Sequence, residues 1–402
     1  MHALAKPRNW KHVCVCAVDL AKILCSNVGL SRKKPDYEKV FSHCAALFGI
    51  IWDTENKLVV CNSENIVREG PAIYVANHIR KADALTVAYA VYLHAAGRHL
   101  HVMMRDDFFD DKSWARTRLL NVDKLAVSLG AIQVSRQAGA YSQMKRFIRL
   151  LLDDGCLIIF PTGSRSRSGH VMELLPQMLG LGQMSFFAVM AQRERFGQDG
   201  GGRVQPVPMV PVSMSCDPIS GRTKLVFSEP EYLAPDPPDA KTDRAVLSEF
   251  DQQLVRTISR LVEINLSHIA ALYILHYAWH SGDLPDRSGN KIVLKRSAFT
   301  NDLTEIVEQI KEMDGLLLSD SVRSGLDSEL RRVERLFARR GMLRTAGEEL
   351  LLLKNRILSA PPVDHRYRKR NAVKYLANEV AHFTEIVSMV EARVLRTVGT
   401  RH

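Results

Sequence analysis

Hydrophobic positions along the chain change period several times, and each change predicts an element. Residues 72–76, Ala-Ile-Tyr-Val-Ala, form an unbroken apolar run with strand character, and an apolar pattern of helical period starts near Ala82. Asn77 and His78 therefore fall in a tight strand-to-helix loop. The alternation continues to about Phe227: strands are expected at 58–61, 72–76, 99–104, 131–135, 157–160, 207–215 and 224–227, and helices at 85–95, 114–129, 140–153 and 184–193. Such alternation predicts an α/β fold, a mainly parallel sheet flanked by helices, whose loops after Ala76, Ser135, Phe160 and Val212 share one rim. Amphipathic helices are expected at 13–30 and 37–52, making 1–57 an N-terminal helical segment. After the α/β domain at 58–234 comes a linker, Pro235-Asp236-Pro237-Pro238-Asp239. Beyond it, residues 241–402 predict a C-terminal helical domain, with an apolar stripe at Leu247, Leu254, Ile258 and Leu261 and loops near 281–290 and 359–363.

Composition narrows the partners. A formal net charge of +11 over 402 residues calls for something anionic: nucleic acid, an anionic membrane surface, or a phosphorylated substrate. Nucleic acid fits worst, because the basic residues lack the interleaved aromatics of a base-stacking platform. The 7 cysteines are odd in number and lack paired ligand spacing, so free thiols in a reducing compartment are expected, with no disulfide framework and no metal site. No segment reaches the roughly 20 apolar residues of a membrane span. The nearest, 13–30, is broken by Asp19 and Lys22, and reads either as a helix packed on its own domain or as one lying on a membrane surface. Its apolar run before Asp19 is only about six residues, short for a cleavable signal peptide.

Asp83 follows His78 closely enough for a helix starting between them to bring the carboxylate to the imidazole. A carboxylate on one ring nitrogen fixes the tautomer, and the other nitrogen can then take a proton from a hydroxyl. The alternative is an ordinary loop histidine beside an acidic first turn, and the same spacing recurs at His101 and Asp106, where a strand residue and a turn acid suffice. Downstream, Arg136 projects from the end of the strand at 131–135. Phe160-Pro161-Thr162-Gly163-Ser164-Arg165-Ser166-Arg167-Ser168-Gly169 follows another. Glycines let a backbone approach an anion, and Arg165 and Arg167 can donate paired hydrogen bonds to phosphate; a solvated basic turn is the competing reading. A base, an acid, three Arg and flexible Gly on strand-end loops point to a phosphate-containing substrate.

Four blocks together resemble the glycerolipid acyltransferase superfamily. Asn77-His78-Ile79-Arg80-Lys81-Ala82-Asp83 looks like its His-x4-Asp block, and Gly130-Ala131-Ile132-Gln133-Val134-Ser135-Arg136 is similar to its second. Residues 160–169 resemble the third, Phe-x-Glu-Gly-x-Arg-Ser-Arg-x-Gly, and 207–217 the Val-Pro-Val strand. The Arg-Ser-Arg-x-Gly form and Leu175-Pro176-Gln177-Met178-Leu179-Gly180 resemble the glycerol-3-phosphate and dihydroxyacetone-phosphate branch more than the lysophosphatidate branch. Two positions depart from the pattern: Thr162 stands where Glu is usual, and Gln177 where a Lys is usual, which shifts weight onto Arg165 and Arg167. Near the C-terminus, Tyr375, Asn378 and His382 form a string similar to one in glycerol-3-phosphate acyltransferases. It follows the basic cluster at 365–370, which reads as a solvated helix start or as a contact for an acidic partner or membrane.

The resemblance implies acyl transfer from acyl-CoA or acyl carrier protein to a hydroxyl of glycerol 3-phosphate in phospholipid biosynthesis, at the cytoplasmic face of a membrane. His78 would be the general base and Asp83 its orienter, while Arg136, Arg165 and Arg167 hold the acceptor phosphate and Gly163 and Ser164 let the loop close. No metal or organic cofactor is required. A lysophosphatidate or other lysolipid acceptor, or a catalytically weak protein bound to a membrane surface, are the alternatives.

Overall fold

The structure is a computed structural model. It describes residues 57–80, 82–105, 130–134, 140–162, 165–171, 173, 183–198, 206–233, 244–281, 290–323, 326–359 and 370–399, with isolated helical positions between 14 and 25. The expected helices at 37–52 and 114–129, and most of the one at 13–30, lie outside these residues.

A seven-stranded sheet organises the first part of the chain, in the order β1-β7-β6-β2-β5-β3-β4. Its strands are β1 (Leu58–Cys61), β2 (Ala72–Ala76), β3 (Leu100–Arg105), β4 (Ala131–Val134), β5 (Cys156–Ile159), β6 (Met209–Cys216) and β7 (Thr223–Phe227). Every pairing is parallel except the β6–β7 hairpin. The predicted mainly parallel α/β sheet is thus what forms. Strands β2, β5 and β6 are buried along their whole length, as the unbroken apolar runs of a sheet covered on both faces require.

Period two then sorts the side chains. Ala72, Tyr74 and Ala76 face a core shared with Val87 and Val91 of α1 (Asp83–His94). Ile73 and Val75 face the other way, onto α2 (Ala140–Leu152), α3 (Gln183–Gln198) and α4 (Arg244–Arg260) through Phe147, Ala188 and Leu254. Fully burying each large side chain of β2 contributes about 1.5–3 kcal/mol, so a register slip that exposed them would be costly. The stripe Leu247, Leu254 and Ile258 of α4 lies beyond the proline-rich linker in sequence and is buried; its Leu254 and Ile258 pack on this sheet face.

A second core surrounds α5 (Leu266–His280), which is buried on nearly all sides apart from its last turns. Around it lie α6 (Arg296–Lys311), α7 (Asp320–Arg323), α8 (Leu326–Arg339), α9 (Lys354–Ile357), α10 (Ala372–Glu379) and α11 (Thr384–Gly399). This region is not purely helical, as the sequence suggested. It also holds an antiparallel sheet in the order β8-β10-β9, from β8 (Lys291–Lys295), β9 (Leu343–Ala346) and β10 (Glu349–Leu353). Residues Ala346 and Glu349 pair across a two-residue turn in which Gly347 has φ +56°, the left-handed backbone that such a turn needs.

Candidate active site

The site grows from the carboxyl end of β2. Where the ladder from Ala76 to Val212 ends, the side chain of Asn77 replaces one more backbone rung: its Nδ2 donates to the Met214 carbonyl at 2.9 Å, and its Oδ1 accepts from the Met214 N–H at 2.7 Å. Asn77 is thereby fixed and buried, and the next residue, His78, is turned out of the sheet. Strand β6 continues to Cys216 because β7 pairs with it, Met214 opposite Leu225, so no loop follows Val212 as the sequence suggested.

Asp83, the first residue of α1, reaches back rather than capping its own helix. Its Oδ2 accepts from His78 Nδ1 at 2.9 Å, from the Ile79 N–H at 2.6 Å and from the Arg80 N–H at 2.6 Å. One oxygen therefore holds both the ring and the loop that carries it. With Nδ1–H donated to a carboxylate, Nε2 is the acceptor nitrogen of the imidazole. The Asp83 side chain is 4% exposed and that of His78 19%, so the carboxylate is sheltered while the ring still meets solvent. The face of the ring is set by Phe160, the first residue after β5, at a centroid separation of 4.4 Å and an interplanar angle of 27°.

The loop after β5 is bound to the same place. The Ser166 N–H donates to the His78 carbonyl at 2.8 Å, joining the two strand-end loops directly. Glu173, which the sequence gave no reason to single out, shapes the loop from within: its Oε2 accepts from the Arg167 N–H at 2.5 Å, the Ser168 N–H at 3.0 Å and the Ser166 hydroxyl at 3.3 Å. Gly169 then passes so close to α10, at φ +100°, that a Cβ there would stand 2.1 Å from the Tyr375 carbonyl oxygen. Asn378 adds a hydrogen bond from Nδ2 to the Ser168 carbonyl at 2.8 Å, and His382 Nε2 meets the Ser259 carbonyl at 2.7 Å. The C-terminal string Tyr375, Asn378, His382 is thus packed structure, and two of its members hold the Arg-bearing loop. Burial lowers the pKa of His382, partly opposed by the Ser259 carbonyl.

Among the expected site residues, the structure brings together His78, Asp83 and the segment holding Arg165 and Arg167, both half-buried. Arg136, Gly163 and Ser164, and with them Gln177, lie outside the described residues. Thr162 is buried at the start of the loop, where the related pattern has Glu. His101 is a strand residue of β3 beside His99, its pKa lowered by burial, and Asp106 lies outside the described residues. Cys156 is buried at the start of β5 and its thiol is pushed up to about 12, chiefly by desolvation, so it is no nucleophile at neutral pH. Behind the His78 loop, a small cavity lined by Asn77, Ile79, Val171, Met214, His268 and Glu379 separates the sheet from α5 and α10. Glu379 Oε2 lies 3.0 Å from Nε2 of the buried His268, whose Nδ1 accepts from the Asn265 N–H at 3.3 Å. That bond leaves the His268 proton on Nε2.

Residues 57–215 match a family model described as Acyltransferase. The match supports acyl transfer as the chemistry of this part of the chain, without separating one acceptor from another. Among solved structures, the chain is similar to the 1-acyl-sn-glycerophosphate (LPA) acyltransferase PlsC from Thermotoga maritima, with 17% identity and a TM-score of 0.35 over 63% of this chain and 98% of that one. Comparison with curated proteins finds no match.

Proposed function

We propose that the chain is an O-acyltransferase that moves a fatty acyl group from a thioester, acyl-CoA or acyl carrier protein, to a hydroxyl of glycerol 3-phosphate or a close relative. The observation that carries this reading is the hydrogen bond from Ser166 N–H to the His78 carbonyl, which sets the basic loop beside a carboxylate-held imidazole. In the proposed step, His78 Nε2 takes the proton of the acceptor hydroxyl as its oxygen attacks the thioester carbonyl. The tetrahedral intermediate then expels the thiolate, which leaves with the proton from the imidazolium. Asp83 orients the ring and stabilises its charged form. Arg165 and Arg167, with Arg136, hold the acceptor phosphate, and Gly163 and Ser164 let the loop close on it.

The branch assignment rests on the Arg-Ser-Arg-x-Gly form at 165–169 and the Leu-Pro-Gln-Met-Leu-Gly run at 175–180. Net charge +11 supports contact with an anionic surface, at the cytoplasmic face of a membrane. No described helix is long and apolar enough to cross one. Purified protein, labelled acyl-CoA and a panel of glycerol 3-phosphate, dihydroxyacetone phosphate and lysophosphatidate test the proposal. Turnover of the first, lost in His78→Ala and with a raised acceptor KM in Arg165→Ala, is expected. Turnover of lysophosphatidate alone would move the acceptor to the other branch, and appreciable transfer by His78→Ala would overturn the mechanism.

A further inference from the structure

We propose that His276, His280 and Glu391 form a site for one divalent transition-metal ion, zinc by its ligand chemistry, that joins α5 to α11 away from the acyl-transfer loops. His276 and His280 stand four residues apart on α5, so both rings leave the same helix face, and Glu391 meets them from α11. Glu391 Oε1 lies 3.0 Å from His280 Nε2 and 3.7 Å from His276 Nδ1, and one ligand atom from each residue fits within 4.8 Å of the others. Ligands about 2.0–2.1 Å from a tetrahedral zinc lie about 3.3 Å from one another, so small side-chain rotations turn this cluster into three vertices of a tetrahedron.

The donor set selects the ion. Two imidazoles and one carboxylate suit zinc and its transition-metal neighbours, whereas calcium and magnesium take oxygen ligands. His276 converges on the oxygen that His280 already holds, at a distance beyond hydrogen-bond reach, its ring nearly parallel to that of His280 at 17°. The side chains are 19%, 23% and 41% exposed, sheltered enough to be fixed and open enough for an ion to enter. His268, on the same helix, faces the cavity behind the His78 loop; two to three turns, roughly 12–18 Å of helix rise, separate it from the proposed ligands. The ion would therefore clamp helices of the second core rather than act on substrate.

The test uses the full chain, stripped with a chelator and dialysed into metal-free buffer. Titration with Co2+ alone should give the visible absorption bands of a low-symmetry nitrogen and oxygen site at one equivalent per chain, displaced by Zn2+. Losing a ligand's outer partner alone costs about 10–100-fold in affinity, so His276→Ala/His280→Ala and Glu391→Gln, which remove ligands themselves, should each weaken Zn2+ binding by at least that factor, while Cys14→Ser/Cys25→Ser, at exposed thiols, should leave it unchanged. Zn2+ should also protect His276 and His280 of the unmodified chain from diethyl pyrocarbonate, a readout independent of whether the variants fold. No Co2+ bands with metal in excess, binding unchanged in the histidine variant, or carbethoxylation of both rings unaltered by Zn2+ would each overturn the assignment.

Discussion

Replacing Asp83 by Asn removes a charge while preserving shape, and separates what the carboxylate does for catalysis from what it does for the fold. An Asn Oδ1 can still accept from the Ile79 and Arg80 N–H groups, which now lie 2.6 Å from Asp83 Oδ2, so the loop should keep its course. What disappears is the attraction for the imidazolium that forms as His78 takes its proton. Opposite charges about 4 Å apart attract by about 4 kcal/mol at an effective dielectric of about 20. Every 1.36 kcal/mol is about tenfold in rate, which sets an upper value near 1,000-fold. Solvent at the partly exposed ring screens some of this, so kcat should fall by about 100- to 1,000-fold with both KM values little changed. Asp83→Ala, by contrast, leaves two backbone donors and the ring without their acceptor, at about 1–3 kcal/mol for each buried group left unpaired, and should also lower the thermal midpoint. Initial rates measured by release of free thiol from acyl-CoA, beside melting curves of both variants, decide the matter. An Asn variant that melts like the parent and keeps kcat within about threefold would refute the role given to Asp83.

Three further outcomes follow from neighbouring contacts. Phe160→Leu keeps an apolar side chain but removes the aromatic face stacked on His78, and at about 0.5–1.5 kcal/mol for such a contact kcat should fall about 2- to 13-fold; an unchanged pre-steady-state rate of acyl transfer would show the stacking to be incidental. Gly169→Ala places a methyl carbon 2.1 Å from the Tyr375 carbonyl at a backbone φ of +100°, so the loop must leave α10; the acceptor KM should rise much more than kcat falls, and equal KM values for variant and parent would refute that docking. Finally, burial holds the imidazoles of His101, His276 and His382 below their ordinary value of 6.5. As pH falls through that value the unfolded chain takes up protons that the folded chain does not, so stability is present above it and is lost below. The urea midpoint should be lower at about pH 5.5 than at about pH 7.5, and a flat or inverted profile would count against it.

Local patterns made the framework legible. Strands β1 and β2 have the bounds that the apolar runs predict, because a half-buried edge strand such as β1 and a fully covered one such as β2 are both continuous apolar runs closed by turn residues, and no tertiary context is needed to see that. The link from His78 to Asp83 was legible for the same reason, being a local contact between a loop residue and the first residue of the helix that follows it. What stayed hidden depends on partners distant in sequence. Nothing in the string 165–169 tells that Ser166 will donate to His78, nor does a lone Glu173 differ on paper from a solvated acid, since each is fixed only once β5 lies beside β2. The short strand β8 was passed over because an Ile-Val-Leu triplet between two Lys fits either element, and its pairing with β10 decides the outcome.

The same reasoning explains why the C-terminal helices matter to a site built from strand-end loops. A loop proposed to hold a phosphate has two tasks, to admit the acceptor and to return to one place after each turnover. Here the second is met from more than 200 residues away in sequence, by Asn378 on the Ser168 carbonyl and by the backbone of Tyr375 against Gly169. Glu379, next along α10, lines the cavity behind the His78 loop together with Asn77 and Ile79. One helix thus touches the Arg-bearing loop directly and the His-bearing loop through that cavity, so a shift of α10 would move both halves of the site together.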